Sequence, residues 1–300
     1  MTTTTRATAA LLLATLIWGS TFVLVDAVVD HLPVHSFLAW RFTIAFLALL
    51  LIRPTALRGL DRTTWLRGVV LGLALGIGYA TQTGGLAAGT LPTVSGFITG
   101  MFVVLTPLLS AWWFRTRMGW STAIAVGCAG TGLALLTLVH GRIGGGEWLT
   151  AACAVAFAAQ IVLLGRWSTP SNTVALVLIQ IGTVSVLEIL MAVIVDAPPQ
   201  LPHNAHAWLG VAFLALAATV YGFLAQTWAQ AHMSATRAAV ILTTEPMFAA
   251  LTGAIAGDRL LPRQLLGAAL VLAAMYLVEL TPARKGGRES AEARIPHLEP

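Results

Sequence analysis

The strongest constraint on this sequence is a succession of apolar runs, each about twenty residues long and separated by short polar breaks. A run of that length can cross the hydrocarbon core of a bilayer as a helix. The pattern predicts ten such helices, at 8–29, 35–52, 66–88, 93–113, 119–139, 148–166, 172–195, 208–230, 237–256 and 264–280. The breaks carry the prolines, glycines and charges that end helices, as in RPTALRGLDRT at 53–63. Because lipid offers no hydrogen bonds to the backbone, the sequence predicts an all-α integral membrane protein.

Composition excludes an ordinary soluble domain. Hydrophobic residues make up 57% of the 300 residues and charged residues only 10%, whereas a typical soluble domain carries about 25% charged residues. The mean hydropathy is +0.84. The N-terminal apolar stretch continues to Val29 without a cleavage motif, which favours a first transmembrane helix over a signal peptide. Cys128 and Cys153 fall inside predicted spans, so we expect small buried side chains there rather than a disulfide or a metal site.

The distribution of positive charge predicts the orientation in the membrane. With a cytoplasmic N-terminus, the inside segments hold 13 of the 17 lysines and arginines, and the outside loops hold Arg142, Arg259 and Arg263. Short loops rich in Lys and Arg stay on the cytoplasmic side, so we expect both termini inside, with the chain in the cell (inner) membrane. The net charge of +5 then implies no nucleic-acid partner, because the positive residues are scattered between the spans.

A nearly constant offset relates the two halves of the chain. The offset is 139 for most of the first half and 142 for the third predicted helix, and it pairs Trp18 with Phe157, Arg41 with Gln180, Pro107 with Pro246 and Tyr79 with Tyr221. Five helices per half is an odd number, so the second half must lie upside down relative to the first. The sequence therefore predicts two inverted five-helix repeats, at 1–140 and 141–281, followed by a disordered cytoplasmic tail at 282–300.

Four stretches resemble the EamA-type family of the drug/metabolite transporter superfamily. They are LIWGSTFVLV at 16–25, AWRFTIAFLALLLI at 39–52, SGFITGMFVVLTPLLSAWW at 95–113 and the proline-centred helix with its polar turn and glycine-led successor at 234–280. One departure is that Asp258 takes the place of a glutamate that usually follows the glycine in this turn. The resemblance implies a transporter of amino acids, nucleobases, sugars or cationic drugs, in many members an exporter. It also implies a central cavity between the first, third, fourth, sixth, eighth and ninth helices.

Glu245 and Pro246 stand side by side in an otherwise apolar run, LTTEPMFAALTG at 242–253. A charged residue near the bilayer centre costs about 2.5 to 3.5 kcal/mol on insertion scales. Pro246 removes a backbone donor and frees a carbonyl near Ile241 or Leu242. Such a polar, bent position is tolerated in a bundle interior or a wet cavity. Glu245 is therefore expected to line a cavity and is a candidate proton carrier, and the alternative is a packing role through hydrogen bonds to Thr243, Thr244 or another helix.

Arg41 is a second charge predicted to lie within a span. Its repeat counterpart is the neutral Gln180, so the two do not form a symmetric ion site. Asp26, near the outer end of the first predicted helix, is a plausible partner. Arg41 can serve as a structural anchor or as a substrate contact, since paired intramembrane charges do either. Glu188 is a further charge predicted to lie within a span, but the sequence does not indicate which residue would pair with Glu188.

Aromatic and amide side chains mark the expected substrate path. Pockets for small organic ligands have apolar walls and a few convergent polar groups, and aromatic faces attract cations. The side chains that we expect to line the cavity together with Glu245, on the helices that the resemblance places around it, are Trp18, Tyr79, Gln82, Phe97, Thr99, Phe157, Gln160, Tyr221 and Gln226. The alternative for each aromatic residue is core packing or anchoring at the membrane interface.

Motifs of enzymes and of ATP-driven pumps are missing from the sequence. It contains no HExxH, GxSxG or GxxxxGK[ST], so we expect neither catalysis nor a cofactor. His31 and His35 are four residues apart, but Pro33 intervenes and a metal site there is not favoured.

Three functions remain open from the sequence. The favoured one is a secondary transporter that exports small metabolites or drugs by alternating access, with protons as a possible coupling ion. A passive facilitator and a structural or signalling membrane protein without flux are the alternatives.

Overall fold

The chain forms a bundle of helices in a computed structural model that describes residues 3–114, 120–137, 143–232, 238 and 241–280. Its helices are α1 Thr3–Val29, α2 Val34–Ile52, α3 Arg62–Ala87, α4 Pro92–Gly100, α5 Phe102–Phe114, α6 Trp120–Thr137, α7 Gly145–Trp167, α8 Thr173–Met191, α9 Ala205–Phe213, α10 Gly222–His232, α11 Glu245–Ala256 and α12 Pro262–Leu280. Two π-helical segments interrupt this pattern. Ala192–Asp196 continues α8, and Leu214–Tyr221 joins α9 to α10. No strand occurs among these residues, so the all-α prediction is confirmed for them.

Seven helical stretches are long and apolar enough to cross a membrane, counted over the described residues. They include Pro92–Trp113, Thr173–Asp196 and Ala205–His232, each of which contains an interruption of the regular helix. Two shorter apolar helices, Ala123–Leu136 and Pro262–Leu277, fall below that length. The count of ten crossings stays a prediction, and the predicted tail at 282–300 lies outside the described residues.

Helix ends follow from local sequence. The carboxylate of Asp61 accepts hydrogen bonds from the backbone and hydroxyl of Thr64, which caps α3 and moves its start to Arg62, four residues before the predicted position. The hydroxyl of Thr64 also lowers the pKa of Asp61 below its ordinary value. Asn204 caps α9 in the same way, accepting from the amide of Ala207 at 2.8 Å. Side chains outside the apolar runs therefore decide where these helices begin.

The fourth predicted helix is interrupted at Met101, several residues before its only internal proline, Pro107. The helix ends at Gly100 and restarts at Phe102, whereas Pro107 lies inside α5. In the second half, Thr243 and Thr244 form a turn immediately before α11, so the predicted helix at 237–256 is also interrupted. Residues 237, 239 and 240 lie outside the described part. Both halves thus interrupt the helix that is fourth in its repeat.

The packing of helices is preserved when the two halves are exchanged. In the first half α1 packs against α10 and α11, and its counterpart α7 packs against α3, α4 and α5. In the same way α2 packs against the π-helical segment Leu214–Tyr221, and its counterpart α8 packs against α3. Two further large contacts join counterparts to each other, namely α2 to α8 and α6 to α12, and α4 packs against α11. This pattern relates the two halves of the chain by an approximate twofold exchange.

Glycines allow several of these contacts to be made at backbone distance. Gly132 of α6 faces Gly267 of α12 so closely that a β-carbon added at Gly132 would lie 2.7 Å from the carbonyl oxygen of Gly267. A β-carbon at Gly130, two residues earlier on α6, would meet nothing within 4 Å. Close approach through small residues is a common way to join helices in lipid, where the hydrophobic effect offers no help.

We predict that Gly132→Ala lowers the thermal stability of the purified protein, because the added methyl group meets backbone that cannot move aside. Overpacking of this kind costs about 1–3 kcal/mol. Gly130→Ala is the matched control on the same helix and should leave the melting temperature unchanged or raise it slightly, since alanine has the higher helix propensity. A thermal melt in detergent that shows equal effects for the two variants would contradict the α6–α12 contact.

Candidate functional site

A cavity lies where the interrupted helices of the two halves meet α1, α3, α7 and α10. A cavity volume of about 50 Å³ is bounded by Trp18, Thr21, Phe22, Leu75, Tyr79, Gln82, Phe102, Phe157, Gln160, Ile161, Phe223, Gln226, Leu242 and Glu245. Phe102 is the first residue after the break in the first half, and Glu245 is the first residue after the break in the second. Interrupted helices at corresponding positions of two repeats are the best sequence-level indication of a transporter's substrate site.

Seven of the ten expected cavity residues line this cavity: Trp18, Tyr79, Gln82, Phe157, Gln160, Gln226 and Glu245. Phe97, Thr99 and Tyr221 do not. Phe97 is buried in the core, Thr99 accepts a hydrogen bond from Gln82 behind the wall at 3.2 Å, and the hydroxyl of Tyr221 donates to the carbonyl of Ala10 at 2.9 Å.

Most of the lining falls into pairs related by the internal repeat. On α1 and α7 the offset of 139 relates three positions spaced as one face of a helix, and it pairs Trp18 with Phe157, Thr21 with Gln160 and Phe22 with Ile161. On α3 and α10 an offset of 144 pairs Tyr79 with Phe223 and Gln82 with Gln226. The cavity is therefore built twice from the same helix faces.

The offset of 144 between α3 and α10 explains why the sequence predicts Tyr221, rather than Phe223, in the cavity wall. An offset of 142 fits the start of α3 and α9 and predicts Tyr221 as the counterpart of Tyr79. Between these points the second half contains the π-helical segment Leu214–Tyr221, and π-helical turns hold more residues than α-helical turns. The extra residues change the register, so Phe223 rather than Tyr221 occupies the cavity wall.

Glu245 breaks the pairing of the cavity. An offset of 139 or 140 relates it to Thr106 or Leu105, neither of which is charged. Its side chain is 8% exposed, and within the described part of the chain its carboxylate has no hydrogen-bond or ion-pair partner. The positive end of the α11 dipole favours an acid at this position.

The turn before Glu245 is held by hydroxyl groups. The hydroxyl of Thr244 donates to the carbonyl of Ile241 at 2.7 Å and lies 2.9 Å from the hydroxyl of Thr15 on α1. The carbonyl that the sequence predicts to be freed by Pro246 is thus satisfied by Thr244. Thr244 is occupied with these partners and leaves Glu245 to face the cavity.

The π-helical segment Leu214–Tyr221 also supplies polar atoms to the site. The indole nitrogen of Trp18 donates to the carbonyl of Ala218 at 2.7 Å, and the ring of Trp18 lies 5.6 Å from that of Phe223. A widened helical turn exposes carbonyls that an α-helix would use internally. The segment thereby fixes the orientation of a cavity aromatic on another helix.

Arg41 lies behind the cavity wall rather than in it. Its Nε donates to the hydroxyl of Thr219 at 2.9 Å, its guanidinium carbon lies 4.6 Å from the centre of the Tyr79 ring, and its Nη2 lies 3.4 Å from the Tyr79 hydroxyl. Tyr79 contacts Phe157 and Phe223 edge to face at 5.3 and 6.2 Å. Arg41 therefore positions the aromatic side chain at the centre of the cavity wall.

The expected pairing of Arg41 with Asp26 is wrong. Asp26 has Asp30 and Asp258 as its ionisable neighbours, and Arg41 contacts Thr219 and Tyr79 instead. The reason is that α1 and α2, although adjacent in sequence, pack only slightly on each other, and α1 turns its face to α10 and α11. Consecutive order in the chain does not bring these two side chains together.

Amide side chains complete the polar lining. The amide nitrogen of Gln160 donates to the side-chain oxygen of Gln180 at 2.9 Å, so the repeat counterpart of Arg41 supports the opposite wall. The side-chain oxygen of Gln226 is buried without a hydrogen-bond partner among the described residues. Residues with an unsatisfied acceptor and an unpaired carboxylate line one small space, which suits a ligand that carries hydrogen-bond donors.

Sequence reasoning missed seven lining residues: Thr21, Phe22, Leu75, Phe102, Ile161, Phe223 and Leu242. Most are apolar and give no chemical signal of their own. Helical spacing from Trp18 and the internal repeat could have indicated Thr21, Phe22 and Ile161, because they share a face with residues that were identified.

Comparison with known proteins agrees with this architecture. The model of the EamA-like transporter family matches residues 5–138 and again residues 144–280. The chain belongs to the EamA-like transporter family. The resemblance drawn from the sequence is confirmed, and the protein is a membrane transporter with two family repeats.

Individual relatives support the same conclusion. An uncharacterized transporter of Archaeoglobus fulgidus is 33% identical over 271 residues, which cover 90% of this chain and 84% of that protein. A solved crystal structure of a protein aligns with a TM-score of 0.65 at 20% identity, covering 91% of this chain and 97% of the other. The structural match supports the fold alone.

We predict that Thr219→Val destabilises the protein by about 1–3 kcal/mol, because it leaves the Nε of the buried Arg41 without an acceptor. Thr227→Val is a matched control on the same stretch, since the hydroxyl of Thr227 is buried without a partner and its loss should be neutral or stabilising. Thermal denaturation in detergent measures both. A melting temperature that falls only for Thr227→Val would contradict the anchoring of Arg41.

Proposed function

We propose that this EamA-like transporter exports small metabolites or drugs by alternating access around the central cavity. The observation that carries the proposal is the meeting of two interrupted helices, one from each repeat, at a cavity built from repeat-related helix faces. In such a design two equivalent half-sites exchange roles as one repeat moves against the other. Two family repeats and a preserved packing pattern supply the required halves.

The proposed arrangement in the membrane has ten crossings, inverted repeats and cytoplasmic termini in the cell (inner) membrane. It is supported by the bias of Lys and Arg toward one side and by seven stretches of spanning length. With this orientation, the end of the bundle where α1 leads into α2 faces the outside, and the end where α2 leads into α3 faces the cytoplasm.

The cavity favours small organic solutes that have a flat or cationic part. Its six aromatic residues are Trp18, Phe22, Tyr79, Phe102, Phe157 and Phe223. Aromatic faces attract cations, and the unpaired carboxylate of Glu245 adds a negative group at one side. Amino acids, nucleobases and cationic compounds all fit this chemistry. The glutamines Gln82, Gln160 and Gln226 can exchange hydrogen bonds with any of them.

Energy coupling is proposed to use protons bound at Glu245. An isolated acid within a span is energetically costly, and acids that are retained there usually serve a function. Glu245 lines the proposed substrate cavity without a partner among the described residues. A solute entering beside the carboxylate would compete with the proton there, which is the requirement for exchange of one for the other.

A passive facilitator is the second candidate, since the same cavity could equilibrate a solute without coupling. The two differ in whether an imposed pH gradient can drive a solute above its equilibrium distribution. A non-transporting role is not favoured, because both the family and the A. fulgidus relative are transporters.

We predict that Glu245→Gln keeps the fold and removes the pH dependence of transport. A screen of amino acids, nucleobases and cationic dyes in proteoliposomes, with and without an imposed pH gradient, identifies a transported compound. The variant is then compared with the wild type, expecting at least a tenfold loss of gradient-driven accumulation, the effect of about 1.4 kcal/mol. Glu147→Gln, in the first turn of α7 and away from the cavity, is the matched control.

Two outcomes would contradict this assignment in different ways. Accumulation that persists in Glu245→Gln with its pH dependence intact would remove Glu245 from the coupling step. Flux by the wild type that never exceeds the solute gradient under any pH difference would favour the passive facilitator.

A further inference from the structure

A second buried acid lies between the two repeats, away from the central cavity. Glu188 of α8 is fully buried, and its Oε2 lies 2.8 Å from Nδ1 of His35 at the start of α2. The side chain of His35 is 19% exposed, so the pair runs from the edge of the bundle to its interior. Neither residue lines the cavity.

The carboxylate of Glu188 is only half satisfied. Its second oxygen, Oε1, is buried without a hydrogen-bond partner in the described part of the chain. A buried carboxylate normally accepts several hydrogen bonds or meets a full counter-charge. No cluster of three or more potential metal ligands exists among the described residues. The smallest ligand that neutralises this buried carboxylate is a proton, shared between Oε2 and the imidazole of His35.

That proton determines the net charge of the His35–Glu188 pair. With one proton on the pair beyond the neutral imidazole, the net charge is zero, either as an ion pair or as a neutral acid beside a neutral ring. Without it, a buried carboxylate carries a full negative charge with one neutral donor. Asp196, at the end of the π-helical segment Ala192–Asp196, acts electrostatically on both members and makes the negative state still less favourable.

Other ionisable groups on the helices packed around the pair are engaged elsewhere or lie apart from it. Arg41 on α2 is held by Thr219 and Tyr79, and Tyr221 donates to Ala10. On α10, His232 bonds the carbonyl of Trp228. The remaining such groups on α1, α3 and α9 are Arg6, Asp26, Arg62, Arg67 and His206, and the turn after α1 adds Asp30 and His31; none of these groups acts on the pair.

The pair is part of a polar seam that joins the repeats. Next to His35, the amide and hydroxyl of Ser36 donate to Oδ2 of Asp196 at 2.6 and 2.7 Å. Further along α2, the hydroxyl of Thr43 lies 2.7 Å from that of Ser185 on α8. Because α2 belongs to the first repeat and α8 to the second, a charge change here alters a contact between the halves.

We propose that His35 and Glu188 form a proton-binding site, separate from the central cavity, whose occupancy strengthens the contact between α2 and the end of α8. Protons reach it through the exposed edge of His35. Loss of the proton leaves a buried charge beside Asp196 and loosens the segment at 192–204. The site does not require Glu245 to bind a proton, so the two assignments can fail independently.

Infrared difference spectroscopy tests proton binding directly. Spectra of the full chain in lipid nanodiscs are recorded between about pH 5 and about pH 9, the range in which histidine-linked groups titrate. Glu188→Gln should remove one pH-dependent carboxyl or carboxylate signal, and His35→Gln should shift it. Ser185→Ala is the matched control at the same seam and should leave the signal unchanged, while Glu245→Gln should leave this signal in place.

Hydrogen exchange tests the structural consequence. One linked proton changes an opening equilibrium by at most a factor of about ten per pH unit. In the wild type, exchange of peptides covering 192–204 should rise with pH beyond the intrinsic rate, by up to that factor. In Glu188→Gln this extra dependence should be lost, whatever the absolute rate.

The outcomes separate a proton site from a static ion pair. A static pair predicts no infrared signal that depends on both His35 and Glu188, and an exchange rate in Glu188→Gln that is offset equally at every pH. Either result overturns the proposal. A variant that fails to fold is recognised by its melting curve, and His35→Gln then provides the same comparison from the exposed partner.

Discussion

The structure depends on the fact that the bilayer core offers no water to satisfy a broken helix. Every interruption must therefore be repaired by the protein itself or must border a polar space. The turn at Thr243 and Thr244 shows both solutions, because the hydroxyl of Thr244 bonds a freed carbonyl and Thr15, while Glu245 opens onto the cavity. The π-helical segment Leu214–Tyr221 follows the same rule by giving the carbonyl of Ala218 to Trp18. Irregular backbone and the cavity occur together for this reason.

Residues that recur in both repeats and residues that occur in only one repeat have different roles in this protein. Equivalent helix faces on α1 and α7, and on α3 and α10, build the apolar walls of the cavity twice. The charged groups have no such counterparts, since Glu245 corresponds to Thr106 or Leu105 and Arg41 to Gln180. A symmetric pair of acids across a small space would repel each other and raise the cost of burial. The repeat-related residues thus form the walls of the cavity, and the charged residues at and behind those walls are the ones without an equivalent in the other repeat.

The sequence predicts the helices and the cavity faces better than it predicts contacts between helices. Apolar length and helical spacing act within one segment, so they place Trp18, Tyr79, Phe157 and Gln160 on faces that prove to be shared. Partners of buried charges depend on which helices pack, and neighbours in sequence are poor guides to that. Asp26 is near Arg41 along the chain but has Asp30 and Asp258 as its ionisable neighbours, whereas Thr219 comes from 178 residues away. The π-helical turns leave no mark in an apolar sequence, which is why a constant offset selects Tyr221 in place of Phe223.

The two buried acids illustrate why burial alone does not define a function. Glu245 is held at a helix start without a partner among the described residues and lines the cavity that both repeats build, which is why we propose that its proton is exchanged for a ligand. Glu188 has a histidine partner and does not line the cavity, so we assign its protonation to the contact in which it sits. In our proposals, the first arrangement couples a proton to a solute, and the second couples a proton to the packing of one repeat against the other. In an alternating-access protein both act on the same equilibrium, because each conformation requires a particular packing of the halves around the cavity.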